Sequence, residues 1–251
     1  MKVAADLMVD IPTLHYDDYI TKARSVLRDD VFREVYVVDE KNRLKGYLDI
    51  SDVLRVMDTK SNVTIKGFVR EAARITQDTS LTEAGVAILE ARTNSAAVVD
   101  EDGIYLGGVL FSELFPILIS RRTISGRVED VMSHEPVTSM PDAPIHRVYN
   151  LIVTSGFIAF PVVQKKEPIG IISRRDLLRA GNLRISVKNQ ADTTVERVMT
   201  TPPISVAPDD PITTASRLMV EHDVSMLPVI DGRKQLVGVI DRHDVLSGRL
   251  P

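Results

Sequence analysis

Apolar positions along this chain change their period in a fixed order, and they do so four times. Ile212, Ala215 and Met219 recur at three- and four-residue spacing behind Asp209, Asp210 and Pro211, which predicts a helix with an acid-rich cap and proline in its first turn. LPVID (227–231) and LVGVI (236–240) then read as two short strands joined at Asp231 and Gly232, and Asp244 opens a second helix. The same order is written in YVVD (36–39) with LKGYL, in AAVVDEDGIYLGGVL and in FPVVQKKEPIGII. A short extended segment precedes each unit, Val137 and Thr138 in the third copy and Ile204 and Ser205 in the fourth.

The strand-to-helix junction is the most recognisable phrase: GYLDISDVL at 46–54, GGVLFSELF at 107–115, GIISRRDLL at 170–178 and GVIDRHDVL at 238–246. Its acids, Asp52, Glu113, Asp176 and Asp244, follow a second set of acids, Asp17, Asp78, Asp142 and Asp209, at 34 or 35 residues in every copy. A period kept that closely is an internal repeat, and it predicts an α+β fold of four helix–strand–strand–helix units at 1–60, 61–120, 121–185 and 186–251. Polar stretches at 58–63, 121–126 and 182–193 read as linkers. A unit of about 60 residues is small for a self-sufficient core, so one face of its sheet needs a partner. Pairing repeat one with two and three with four covers those faces and makes two domains, each with a pseudo-twofold axis and two equivalent clefts.

Composition narrows the function classes. The 251 residues are 44% hydrophobic, enough for proper cores, and the absence of cysteine excludes disulfides and thiolate metal sites. The N-terminal MKVAADLMVDIP lacks a secretory apolar core, which favours a cytoplasmic protein. GIYLGGVLFSELFPILIS (103–120) approaches membrane-spanning length, but Glu113 and two glycines favour a buried strand followed by a buried helix. A net charge of −4 without a long basic run gives no surface for nucleic acid. The five histidines form no i, i+4 metal pair, and neither a phosphate-binding GxxxxGK[ST] loop nor a GxSxG elbow occurs, so neither catalysis nor a metal is expected.

The phrases RVEDVMSHEPVTSMPDAPI with FPVVQKKEPIGIISRRDLL, and TVERVMTTPPISVAPDDPI with LPVIDGRKQLVGVIDRHDVL, resemble cystathionine-β-synthase (CBS) domains, which occur as tandem pairs called Bateman modules. Four such repeats with little else are similar to stand-alone archaeal and bacterial CBS proteins and to the γ subunit of AMP-activated protein kinase. The resemblance is specific in copies three and four, good in copy one and weak in copy two. It implies two Bateman modules whose clefts take adenine nucleotides (AMP, ADP or ATP) or S-adenosylmethionine, and a regulatory role toward a protein partner, in one chain or a homodimer.

Two readings of the junction stand side by side. Ser173-x-x-Asp176, Asp49-x-x-Asp52 and Asp241-x-x-Asp244 suit a helix capping box, while a carboxylate in that place can also accept the hydroxyls of a ribose. A phosphate beside such an acid needs cations. Copy three supplies Arg174 and Arg175, and copy four Arg242 and His243. Copy one has no base in its junction, and Arg33, three residues before Tyr36, is the candidate to supply one; Asn94, Ile158 and Ser225 hold that place elsewhere. Copy two has Leu110 for its cap residue and is expected to be empty. The order of preference for an adenosine phosphate is therefore the Asp176 cleft, then Asp244, then Asp52. By family analogy the adenine lies against Val137 and Thr138, or against Ile204 and Ser205; edge-strand packing explains those residues equally well. The resulting expectation is a non-catalytic nucleotide sensor, with an interaction scaffold or an S-adenosylmethionine sensor as the alternatives.

Overall fold

The computed structural model describes residues 2–28, 32–56, 61–120, 124–180 and 193–247. The first repeat comprises β1 (Thr13–His15), α1 (Ile20–Arg28), the hairpin β2 (Glu34–Val38) and β3 (Leu44–Asp49), and α2 (Ile50–Leu54). The second comprises β4 (Arg74–Ile75), α3 (Leu81–Ala91), β5 (Ser95–Val99), β6 (Tyr105–Leu110) and α4 (Phe111–Ser120). In the third, β7 (Ser133–His134) and α5 (Ile145–Ser155) precede β8 (Ala159–Gln164), β9 (Glu167–Ser173) and α6 (Arg174–Ala180). The fourth has α7 (Ile212–Glu221), β10 (Met226–Ile230), β11 (Leu236–Asp241) and α8 (Arg242–Leu246). The fold is thus α+β with the predicted order in all four repeats. The 103–120 run is β6 and α4, and among the described residues no helix is long and apolar enough to cross a membrane. Residues 58–60, 121–123 and 182–192 of the three expected linkers lie outside the described residues, at or around the expected repeat boundaries.

The first helix of every repeat buries the same positions. Ile20, Ala23 and Leu27 correspond to Leu81, Ala84 and Ile88, to Ile145, Val148 and Ile152, and to Ile212, Ala215 and Met219, all of them core residues. Pro211 differs from expectation in one detail: it stands at the N-cap of α7 rather than in its first turn, and Asp210 instead closes the preceding turn by accepting from Ala207 N at 2.7 Å. Each hairpin carries an irregularity at the same place, between Val37 and Val38, Val98 and Val99, Val162 and Val163, and Val229 and Ile230. The lead-in runs parallel to the first hairpin strand of its own repeat, with Leu14, Ile75, Ser139 and Val206 buried at the pairing point.

The chain divides into two units, repeats one and two forming the first and Ile124–Val245 the second. Within each unit the repeats are interlocked rather than merely apposed. Upstream of its parallel stretch, each lead-in crosses to the second hairpin strand of its partner: Val9 bonds Gly108, Arg70 bonds Tyr47, Ser133 pairs with Val239, and Thr200 bonds Ile171. Glycine at 46, 107, 170 and 238 makes the crossing sterically feasible, because a Cβ there would lie 2.1 Å from Arg70 O, 2.9 Å from Val9 O, 2.9 Å from Thr200 O and 2.9 Å from Ser133 O. These four glycines open the four junction phrases or stand at their start, which gives that part of the repeat a packing explanation.

Candidate functional site: the strand-to-helix junctions

In the third repeat the antiparallel register sets Ala159 opposite Ser173, so the first residue of β8 faces the last of β9 and α6 starts beside them. Asp176 Oδ2 accepts from Ser173 N at 2.8 Å and from Ser173 Oγ at 2.6 Å. The capping box expected from the sequence is therefore formed, and it consumes one oxygen: among the described residues Asp176 Oδ1 takes no hydrogen bond. Asp176 is half-buried, as is Arg175. Val137 and Thr138 are exposed where the lead-in comes alongside β8, one step before Ser139 N donates to Pro161 O at 3.0 Å. The acid, the lead-in edge and Arg175 thus belong to one end of one hairpin. Arg174 is buried, at 6% exposure, and is not presented at the surface as a phosphate cation would be.

The fourth repeat repeats the box with a carboxylate in place of the hydroxyl. Asp241 N donates to Asp244 Oδ2 at 2.9 Å, and Asp244 N donates to Asp241 Oδ1 at 2.8 Å. His243, Asp241 and Asp244 are half-buried, as are Ile204 and Ser205 just before Val206 joins β10. Arg242 departs from the sequence reading. Its guanidinium is buried and donates to Met219 O at 3.2 Å and Asp223 Oδ1 at 3.1 Å, so it caps the C-terminal end of α7. Burial lowers its pKa, against the raising effect of Asp223.

The first repeat holds the residue that sequence reasoning missed. Arg70, at the crossing of the second repeat's lead-in, places Nη2 2.6 Å from Asp52 Oδ2 and 3.0 Å from Asp49 Oδ2, with its guanidinium 4.7 Å from the centre of the Tyr47 ring. Asp52 Oδ2 also accepts from Asp49 N at 2.9 Å, and Arg55 lies 3.6 Å from Oδ1. The base that the first junction lacks in sequence is therefore Arg70, whereas Arg33 stands half-buried just before β2. Burial and then the Asp49 charge raise the Asp52 pKa, against the Asp49 N–H and Arg70. Burial opposes the charge of Arg70, yet Asp49 and Asp52 keep its pKa above the ordinary value. Nothing in the sequence near 49–52 announces this contact; a basic residue at the crossing position, 18 residues on in the lead-in of the next repeat, is the only available signal.

The interior of the first unit carries a second polar group that the sequence did not suggest. Glu34 is buried, and Ser95 Oγ donates to its Oε2 at 2.6 Å while Asn94 N donates to its Oε1 at 2.6 Å. Tyr36 shares the Ser95 hydroxyl at 2.7 Å and packs against Tyr105. The corresponding strand-start residues of the second unit are Ala159 and Met226, which carry no charge.

The chain is 22% identical to the uncharacterized protein MJ1404 of Methanocaldococcus jannaschii, across 95% of this chain and 59% of that protein. A homoserine O-acetyltransferase of Methanococcoides burtonii is 30% identical over 119 residues, 47% of this chain and 23% of the enzyme, so this chain spans only part of both relatives. MJ1225 of Methanocaldococcus jannaschii is 21% identical across 98% of this chain and 97% of its own length. The crystal structure of MJ1225, a proposed archaeal homologue of γ-AMPK, has a TM-score of 0.84 to this one at 19% identity, covering 98% and 99% of the two chains. The CBS domain model matches residues 3–59, 128–182 and 195–250. Residues 61–120 fall outside those matches yet build the same strand, helix and hairpin order. With more than half of its length matched, the chain belongs to the CBS domain family.

Proposed function

We propose that the chain is a non-catalytic regulatory sensor that binds an adenine nucleotide in its second unit, first at the Asp176 junction and then at Asp244. The observation that carries this reading is the Asp176 carboxylate, held by Ser173 through one oxygen while the other remains available, half-buried beside Arg175 and an exposed lead-in edge. A pre-positioned acceptor of that kind suits a ribose hydroxyl, and charge-assisted hydrogen bonds contribute about 1.5–3 kcal/mol each. Arg175 is the cation for the phosphate in the third repeat and His243 in the fourth; Arg174 and Arg242 are buried, and Arg242 is engaged at the end of α7. Membership of the CBS family and the four-repeat likeness to MJ1225 support a regulatory rather than a catalytic role. Binding regulates a partner protein only so far as the nucleotide prefers one arrangement of repeats three and four over another.

Calorimetry of the full chain with AMP, ADP and ATP tests the reading. Saturable binding below millimolar concentration, abolished at one site by Asp176→Ala, is the expected result. Its absence at millimolar nucleotide overturns the sensor and leaves the interaction scaffold. Displacement of AMP by S-adenosylmethionine at equal concentration assigns the site to that ligand instead, because a sulfonium draws no attraction from Arg175.

A further inference from the structure

The four crossings are equivalent in the backbone, and only one of them carries a charge. Val9, Ser133, Thr200 and Arg70 occupy the same place beside the second hairpin strand of the partner repeat. From that place Arg70 reaches the junction acids of the first repeat at 2.6 and 3.0 Å, a distance that the short side chains of Ser133 and Thr200 do not span. Asp52 is 1% exposed, whereas Asp176 and Asp244 are half-buried.

The chemistry explains why an arginine is needed there. The first repeat has Asp49 where the third has Ser173, so its capping box contains two carboxylates; the fourth repeat pairs Asp241 with Asp244 in the same way, but those acids are half-buried, whereas Asp49 and Asp52 are 6% and 1% exposed. Two buried like charges repel, and a planar guanidinium resting on Tyr47 neutralises both at once. The buried Glu34 adds a further acid to the interior of the same unit.

We propose that Arg70 is a built-in occupant of the first junction: its guanidinium sits on the Asp49 and Asp52 carboxylates, bonded to the capping oxygen Oδ2 of Asp52, and by standing there closes that cleft to nucleotides, so that the first unit is locked and the second alone senses. The inference rests on the reading of the junction acid given above, and it reverses the sequence expectation that Asp52 serves as a third site. It makes Arg70 a specificity-determining residue, a fixed cation standing where a soluble ligand would otherwise enter.

The test rebuilds the first junction in the image of the third. The double variant Asp49→Ser with Arg70→Thr is titrated calorimetrically with AMP beside the parent chain, with circular dichroism and thermal melting as controls for folding. The expected result is one further AMP bound per chain, lost again when Asp52→Asn is added. Asp52→Asn alone, which keeps the shape of the clamp, is expected to leave the parent stoichiometry unchanged, and this arm stands even where the double variant fails to fold. A folded double variant that binds no more AMP than the parent overturns the proposal, as does a drop in stoichiometry on Asp52→Asn alone. Should the parent bind no AMP while the double variant does, the sensor reading falls and the clamp stands; should neither bind, both fall.

Discussion

Glu34 and Ser95 occupy the same position in consecutive repeats, the first residue of the first hairpin strand, and their side chains meet at 2.6 Å inside the first unit. The pseudo-twofold axis inferred from the repeats runs between equivalent strands, so a residue there faces its own counterpart. An acid on one side and a hydroxyl on the other make the two halves complementary rather than identical. Repeat one therefore cannot exchange partners with a second copy of itself without bringing two glutamates together. Glu34→Ala leaves buried donors of Ser95 and Asn94 without their acceptor and is expected to lower stability by about 3 kcal/mol, whereas Glu34→Gln, which retains an acceptor oxygen, costs about 1 kcal/mol. Urea unfolding of the two variants distinguishes these outcomes.

Arg70→Ala is expected to destabilise the chain by about 2–3 kcal/mol at neutral pH, less than a fully buried pair because the guanidinium is half in water. Its pH dependence follows from the raised Asp52 pKa. The folded chain keeps that proton to a higher pH than the unfolded chain, whose aspartates titrate near about 3.9. Between the two values the folded state binds more protons, so the contribution of this group to stability grows as pH falls through that window and is lost as pH rises above the folded value. Removing Arg70 removes one of the pulls holding the folded pKa down and widens the window. The loss measured for Arg70→Ala at pH 7 should accordingly shrink at pH 5, and an equal loss at both would show that the guanidinium contributes packing alone.

Arg242 and Asp176 should separate stability from binding in opposite senses. Arg242→Met removes donors to Met219 O and Asp223 and is expected to cost about 2 kcal/mol, with nucleotide affinity unchanged within a factor of about two. Asp176→Ala loses a cap worth about 1 kcal/mol but abolishes the first nucleotide site. Thermal melts paired with AMP titrations of both variants check the assignment. Loss of AMP affinity in a well-folded Arg242→Met chain would return that arginine to the phosphate.

The interlocking of repeats three and four rests on Gly170, where a methyl group would lie 2.9 Å from Thr200 O and 2.6 Å from the Met199 sulfur. Gly170→Ala should force the crossing strand outward, with a loss of about 1–3 kcal/mol. Gly232, with open space around the position of a Cβ, serves as the control and should change stability by less than about 0.5 kcal/mol when replaced by alanine. Denaturant unfolding of both variants gives the comparison directly.

Much of this molecule is local, and local features are written in order. The helix faces of Ile212, Ala215 and Met219, the hairpins from Glu34↔Asp49 to Met226↔Asp241, and the Ser173–Asp176 capping box all join near neighbours in the chain, so spacing alone determined them. The constant interval between junction acids also established four repeats, including the second, which the CBS domain model does not match. What the tertiary structure decided is which charges meet. Arg70 reaches Asp52 because a lead-in crosses to the partner repeat, Glu34 meets Ser95 because two equivalent strands face each other, and Arg242 turns from the junction into the end of α7. Each of these contacts joins residues that are remote in sequence and whose attraction depends on distance and burial. A period in the chain records neither, and only the folded arrangement supplies them.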